Sequence, residues 1–112
     1  MKKIEAIIRV EKVDEVRRAL EKVGFPGLHI AEVEGHGKQK GVVQQWRGEQ
    51  YRVELLPKSK LEIVVNDKDV RKIVQAIQDA AKTGAVGDGK IFVSSVEEVI
   101  RIRTAETGDS AL

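Results

Sequence analysis

No cysteine occurs among the 112 residues, which removes disulfides, thiolate metal sites and thiol nucleophiles together and suits a reducing compartment. Long apolar runs are missing too: nothing approaches the roughly 18 residues of a membrane span. Met1-Lys2-Lys3 leads instead straight into an alternating segment, unlike an export signal. There is no excess of either charge, because 20 Lys and Arg against 18 Asp and Glu leave a net +2. No global field therefore draws the chain to nucleic acid or to an anionic membrane, and any anion site must be local. Aromatic residues are few, and of Phe25, Trp46, Tyr51 and Phe92 only Phe92 falls on an expected strand, too little for the stacking platform of an RNA-binding module. These absences point to a soluble cytoplasmic protein with no nucleic-acid partner and no direct membrane insertion. The length suits one core and not two, so residues 1–112 are expected to form a single domain.

What is present is a periodic pattern that occurs twice. Residues 3–10 read as a strand with Ile4, Ala6 and Ile8 on one face. Val13, Val16, Leu20 and Val23 then recur at helical spacing, and Gly24, Pro26 and Gly27 stop the helix. Residues 28–34 alternate as a second strand. Residues 35–58 are polar and poorly periodic, with Gly35, Gly37, Gly41, Gly48 and Pro57, and read as an extended loop. At Lys60 the pattern restarts: Lys60-Leu61-Glu62-Ile63-Val64-Val65 echoes Lys3-Ile4-Glu5-Ala6-Ile7-Ile8, and Asp69-Val70-Arg71-Lys72 echoes Glu15-Val16-Arg17-Arg18. The second helix, capped by Asn66 or Asp67, carries Val70, Ile73, Val74 and Ile77 on one face and ends before Gly84. A fourth strand follows at 90–93. The stretch 96–102 leads into Arg101-Ile102-Arg103, read as a short C-terminal strand that points both arginines the same way. Two tandem βαβ halves of this kind make a ferredoxin-like α+β sandwich, βαββαβ, with a long loop between strands 2 and 3. That fold hosts many functions, so the sites must decide.

Gly84, Gly89 and Lys90 fit the G-x-x-x-x-G-K spacing of a phosphate-binding P-loop. Ile91 then stands where a magnesium-binding hydroxyl belongs, and the chain runs from helix into strand, the reverse of a P-loop. The glycines still let backbone N–H groups converge on an anion, with a lysine at the exit. Read alone, the run is a glycine-rich helix end. Two further features favour anion binding: the paired Arg101 and Arg103, whose guanidinium forks match phosphate oxygens, and Gly35-His36-Gly37-Lys38-Gln39-Lys40-Gly41, where three glycines frame two lysines and an amide, with Lys58 at the loop's close. His29 and His36 lack metal-ligand spacing on a common element.

Taken in register, these blocks resemble the PII nitrogen-regulatory signal-transduction family over essentially the whole chain. The resemblance rests on Lys2-Lys3-Ile4-Glu5-Ala6-Ile7-Ile8, on Gly35-x-Gly37-x-Gln39-Lys40-Gly41, on Arg47-Gly48 with Tyr51, and on Leu56-Pro57-Lys58. It rests also on Thr83-Gly84 with Gly87-Asp88-Gly89-Lys90-Ile91-Phe92-Val93, and on Val99-Ile100-Arg101-Ile102-Arg103-Thr104. It implies a homotrimer with nucleotide clefts between subunits and a protruding T-loop at about residues 37–55. ATP and ADP would compete as effectors in each cleft. Gly87, Asp88, Gly89 and Lys90 would wrap the phosphates, with Gly37, Lys38 and Gln39 beside them and Arg101 and Arg103 reaching in from the adjoining subunit. Glu62 and Val64 would hold the ribose and adenine, with His29 near the base. Mg²⁺ on the ATP phosphates would be completed by Gln39 and by 2-oxoglutarate, itself held by Lys58 and the segment Gly37, Gln39, Lys40 and Gly41, with Gly87. Arg47 resembles the arginine that family members insert into ammonium-transporter pores, and Tyr51 occupies a position uridylylated in some of them.

Four positions depart from the family pattern: Val10 stands for a proline, Lys38 for an arginine, His29 for a threonine and Trp46 for a tyrosine. None deletes a phosphate ligand, although Lys38 lacks arginine's bidentate fork. The expected function is a non-catalytic sensor of ATP, ADP and 2-oxoglutarate. It would control an ammonium transporter or nitrogen-assimilation enzymes through its T-loop, and be recruited to the membrane where the transporter is the partner. The alternatives are an adenine-nucleotide sensor without the 2-oxoglutarate response and a ferredoxin-like acyl-phosphate hydrolase, for which no base or nucleophile is evident.

Overall fold

Strand β1 (Lys2–Arg9) buries Ile4, Ala6 and Ile8 and turns Lys3, Glu5, Ile7 and Arg9 to its other side, as the period of two requires. The structure, a computed structural model, describes residues 1–25, 27–35, 43–46, 49–52 and 56–112, with backbone pairing alone for 43–46 and 49–52. After β1, one 3₁₀ turn (Val10–Lys12) feeds α1 (Val13–Lys22), whose Val16 and Leu20 are fully buried. β2 (His29–Gly35), β3 (Val43–Trp46), β4 (Glu49–Arg52) and β5 (Leu56–Val65) follow. A second 3₁₀ turn (Asp67–Asp69), α2 (Val70–Ala81) and β6 (Lys90–Ser95) complete the second half.

Four strands form one antiparallel sheet in the order β2-β5-β1-β6. The core joins Ile4, Ala6, Ile8, Leu61, Ile63 and Val65 of the sheet to Val16 and Leu20 of α1 and Ile73, Ile77 and Ala81 of α2. Both helices thus cover one face, and the fold is the expected α+β ferredoxin-like sandwich. The sequence repeat is also a structural repeat. Its two strands lie side by side, Ile4 opposite Ile63, and each ends on an extended residue before a 3₁₀ turn: Arg9 (φ −63°, ψ 141°) and Asn66 (φ −66°, ψ 152°).

Three expectations are corrected. Neither Asn66 nor Asp67 caps α2 through its side chain. The Asn66 carbonyl accepts from the Asp69 N–H at 3.0 Å and starts the 3₁₀ turn, while the Asp67 carboxylate meets the Met1 ammonium at 3.0 Å. The stretch read as an extended loop holds the pair β3–β4, in register from Val43 opposite Arg52 to Trp46 opposite Glu49, and β5 already begins at Leu56. Val43, Trp46 and Tyr51 have the residue types of strands, but Gln44, Gln45, Glu49, Gln50 and Arg52 leave no apolar period to read. Pro57 lies one residue inside β5, near its start, where a missing N–H is tolerated.

The short C-terminal strand is reduced to one isolated bridge, Ile100 opposite Thr107. The chain folds back there: Arg101 N–H donates to the Glu106 carbonyl at 2.9 Å, Ala105 N–H to the Arg101 carbonyl at 2.8 Å, and Gly108 N–H to the Val99 carbonyl at 3.1 Å. Ala105 takes φ 60° to close the turn. Arg101 therefore opens a turn and Arg103 lies within it, rather than the two sharing a strand face.

Candidate functional site

From the end of α2 the chain enters Thr83–Lys90 through three glycines with left-handed backbone, Gly84 (φ 90°), Gly87 (φ 105°) and Gly89 (φ 100°). Gly89 has a second constraint, because a Cβ there would lie 1.7 Å from the Ile7 carbonyl oxygen. The loop is held from within by Asp88. Its carboxylate accepts from the Thr83 N–H at 2.8 Å, the Gly84 N–H at 2.9 Å, the Thr83 hydroxyl, and Arg9 Nε at 3.1 Å. The Thr83 hydroxyl, then the Thr83 N–H, with Gly84 and Arg9 adding to them, keep this carboxyl well below the usual carboxylate range despite some opposing desolvation.

Two cations tie the loop to the sheet. Arg9 also donates from a terminal guanidinium nitrogen to the Val86 carbonyl at 2.8 Å, and Lys58 Nζ donates to the Gly87 carbonyl at 2.8 Å. Arg9 and Lys58 are directly opposed on β1 and β5. Burial lowers the Lys58 pKa, repulsion from Arg9 lowers it further, and Glu11 and Asp88 act in the other direction. Gly35 makes room for this lysine, since a Cβ there would come within 2.9 Å of Lys58 Cγ.

With Asp88 turned inward, its expected contact with phosphate falls to its backbone. The N–H groups of Val86, Gly87 and Asp88 donate to no other backbone group among the described residues, so the loop presents donors and no carboxylate. The pairing register then shows what shares a face with it. Val33, Lys58 and Arg9 form one row across β2, β5 and β1, and Lys60, Ile7 and Lys90 form another across β5, β1 and β6; His29, Glu62, Glu5 and Phe92 make a third across all four strands, and Val64 lies beyond, opposite Lys3. These residues alternate with the buried ones, so they lie on the face away from the helices. The structure thus brings His29, Lys58, Glu62, Val64 and Lys90 together on one sheet face, with Gly87–Gly89 at its end. Lys3 and Lys60 place their ammonium groups 3.9 Å and 4.0 Å from the Glu62 carboxylate.

Arg101 and Arg103 are not brought to the loop within one chain. Arg101 contacts Glu106, Ser110 and Leu112 instead, and Arg103 is exposed. Gly37, Lys38, Gln39, Lys40, Gly41 and Arg47 lie outside the described residues, as does the side chain of Tyr51. Arg9 is the residue at this loop that sequence reasoning missed. Its signal was the repeat, which sets the end of the first strand beside the start of the strand that carries Lys58.

Among the described residues no cluster of three or more His, Asp or Glu could hold a metal ion, and no helix is long and apolar enough to cross a membrane. The family model described as "Nitrogen regulatory protein P-II" matches residues 1–106. Nitrogen regulatory protein P-II 2 of Methanothermobacter thermautotrophicus is 54% identical over 112 residues, covering 100% of this chain and 97% of the relative. The proteins named nitrogen regulatory protein P-II of Rhizobium meliloti and Azospirillum brasilense are each 54% identical, with full coverage of both chains. These relatives are named as regulators and not as enzymes. Matched end to end by such proteins, and carrying the glycine loop and lysine on which the resemblance rested, the chain belongs to the P-II family of nitrogen-regulatory signal-transduction proteins.

Proposed function

We propose that this regulator senses ATP or ADP together with 2-oxoglutarate and passes the result to an ammonium transporter or a nitrogen-assimilation enzyme through residues 37–55. One observation carries the reading: a loop of left-handed glycines, its acidic side chain turned inward, opens at the end of a sheet face that bears Lys58 and Lys90. Convergent N–H groups beside cations are the chemistry of a phosphate site. From Lys58 to Glu62 is four residues of strand, roughly 13 Å at about 3.3 Å per residue, which is the reach of a nucleoside beyond its phosphates. Gly87, Gly89, Lys90 and the Asp88 backbone would hold the phosphates. Glu62, Val64 and His29 would meet the ribose and base.

Arg101 and Arg103 would act from a neighbouring subunit of a homotrimer, since they do not reach the loop of their own chain. Magnesium would be carried mainly by the nucleotide, with the amide oxygen of Gln39 as the protein's contribution, and its charge would help hold 2-oxoglutarate. The dicarboxylate would pair with Lys58 and backbone N–H groups around Gly37, Lys40 and Gly41. Arg47 would contact the partner, and Tyr51 would be open to covalent modification. The cytoplasm, with recruitment to the membrane by a transporter, is the proposed location. Calorimetric titration with ATP, with ADP, and then with 2-oxoglutarate plus Mg²⁺ tests the reading. Saturable nucleotide binding followed by a 2-oxoglutarate response is expected. Absence of nucleotide binding, or rapid hydrolysis of an acyl phosphate, would overturn it, and nucleotide binding with no 2-oxoglutarate response would favour the narrower sensor.

A further inference from the structure

Arg101 carries a cation assigned above to a neighbour's phosphates, yet within its own chain it is already engaged. One terminal guanidinium nitrogen lies 3.3 Å from Glu106 Oε1. The other donates to the Ser110 carbonyl at 3.4 Å and to a main-chain oxygen of Leu112 at 3.3 Å. The backbone makes this arrangement deliberate: the Arg101 N–H donates to the Glu106 carbonyl at 2.9 Å, Ile100 bridges Thr107, and the Glu106 N–H is held by the Thr104 hydroxyl at 3.3 Å. Residue 101 and residue 106 are thus fixed as neighbours twice, through backbone and side chain. Both side chains remain about two-fifths exposed, so a stronger anion can reach the guanidinium.

We propose that Glu106, with the segment through Leu112, is a latch that competes with nucleotide phosphate for Arg101. This inference rests on the nucleotide reading and deepens it by naming the group that opposes binding. One terminal nitrogen of Arg101 meets Glu106 and the other meets the tail, so a phosphate that takes both in a bidentate fork must displace these contacts. An exposed ion pair of this kind contributes little to stability, so the latch shifts affinity by a small factor.

The test is ATP titration by calorimetry on the full chain and on Glu106→Gln, Arg101→Ala and the double variant. Glu106→Gln keeps every backbone bond of the turn and is expected to tighten ATP by about two- to fivefold, the factor set by an exposed ion pair. In the Arg101→Ala background the same change is expected to do nothing, because its target is gone. An unchanged or weakened ATP affinity in Glu106→Gln would overturn the latch. So would an equal gain with Arg101→Ala, which would mean plain repulsion between Glu106 and phosphate. A wild-type chain that takes no ATP would instead overturn the nucleotide reading itself.

Discussion

Gly84 and Gly89 share a left-handed backbone, φ 90° and φ 100°, but differ in surroundings. A Cβ at Gly84 would meet nothing within 4 Å, whereas at Gly89 it would overlap the Ile7 carbonyl oxygen. Gly84→Ala is therefore expected to cost only the left-handed strain, about 1–2 kcal/mol, and to leave β6 in place. Gly89→Ala must displace β6 from β1 and is expected to cost more than that and to abolish ATP binding. Urea denaturation and ATP titration of the pair check both. Asp88 supports a pH prediction with a definite sign. Its folded pKa is depressed by the Thr83 and Gly84 donors, so its contribution is fully present above the unfolded carboxylate value of about 3.9 and is lost as pH falls below it. Wild type is expected to exceed Asp88→Asn in stability at pH 7 and at pH 5, with the difference shrinking in acid. A difference that stayed constant down to pH 2 would assign it to shape instead of charge. The glycine spacing was legible in the sequence because it is local. The inward turn of Asp88 was not, since one of its donors, Arg9, lies 79 positions away.

At the scale of elements, the apolar periods of α1 and α2 and the alternation of β1 determine the sandwich, and these were readable because each buries one face. Ile73 is 0% exposed in the first turn of α2, against the core face of the sheet. Ile73→Ala is expected to cost roughly 2–5 kcal/mol, measured from denaturant midpoints with an unchanged slope, while an equivalent change at Ile102, 99% exposed, should leave the isolated chain unaffected. What failed to show in the sequence were elements whose residues carry no apolar period. Among the described residues β3 and β4 pair only with each other, and the alternation of Arg101-Ile102-Arg103 imitated a strand although β6 already supplies the sheet's edge. The site face escaped direct reading for a related reason. Residues 29, 58, 62 and 90 become neighbours only once the register of three strand pairs is known.

The whole molecule carries its near-neutral charge unevenly, with Arg9, Lys58 and Lys90 around one loop, and leaves Phe92, Val93, Ile100 and Ile102 exposed along β6 and the segment after it. At the loop, Lys58 has a position that would join the two proposed ligands. It is buried, belongs to the strand that follows residues 37–55, and holds the Gly87 carbonyl. A 2-oxoglutarate carboxylate that draws on Lys58 must therefore act on the same loop that would receive the nucleotide phosphates. Such coupling is a free energy shared by both ligands and has to be reciprocal. ATP is expected to raise 2-oxoglutarate affinity, and 2-oxoglutarate to raise ATP affinity, by one common factor, on the order of 5–150-fold. Titrating each ligand in the absence and in saturating presence of the other, at fixed Mg²⁺, measures both factors. In Lys58→Ala the 2-oxoglutarate heat is expected to vanish while ATP still binds within a few-fold of wild type. A 2-oxoglutarate affinity that ignores ATP would show that the two ligands do not meet at this lysine. Loss of both ligands in the variant would assign Lys58 to the architecture of the glycine loop, through its bond to Gly87, instead of to the effector.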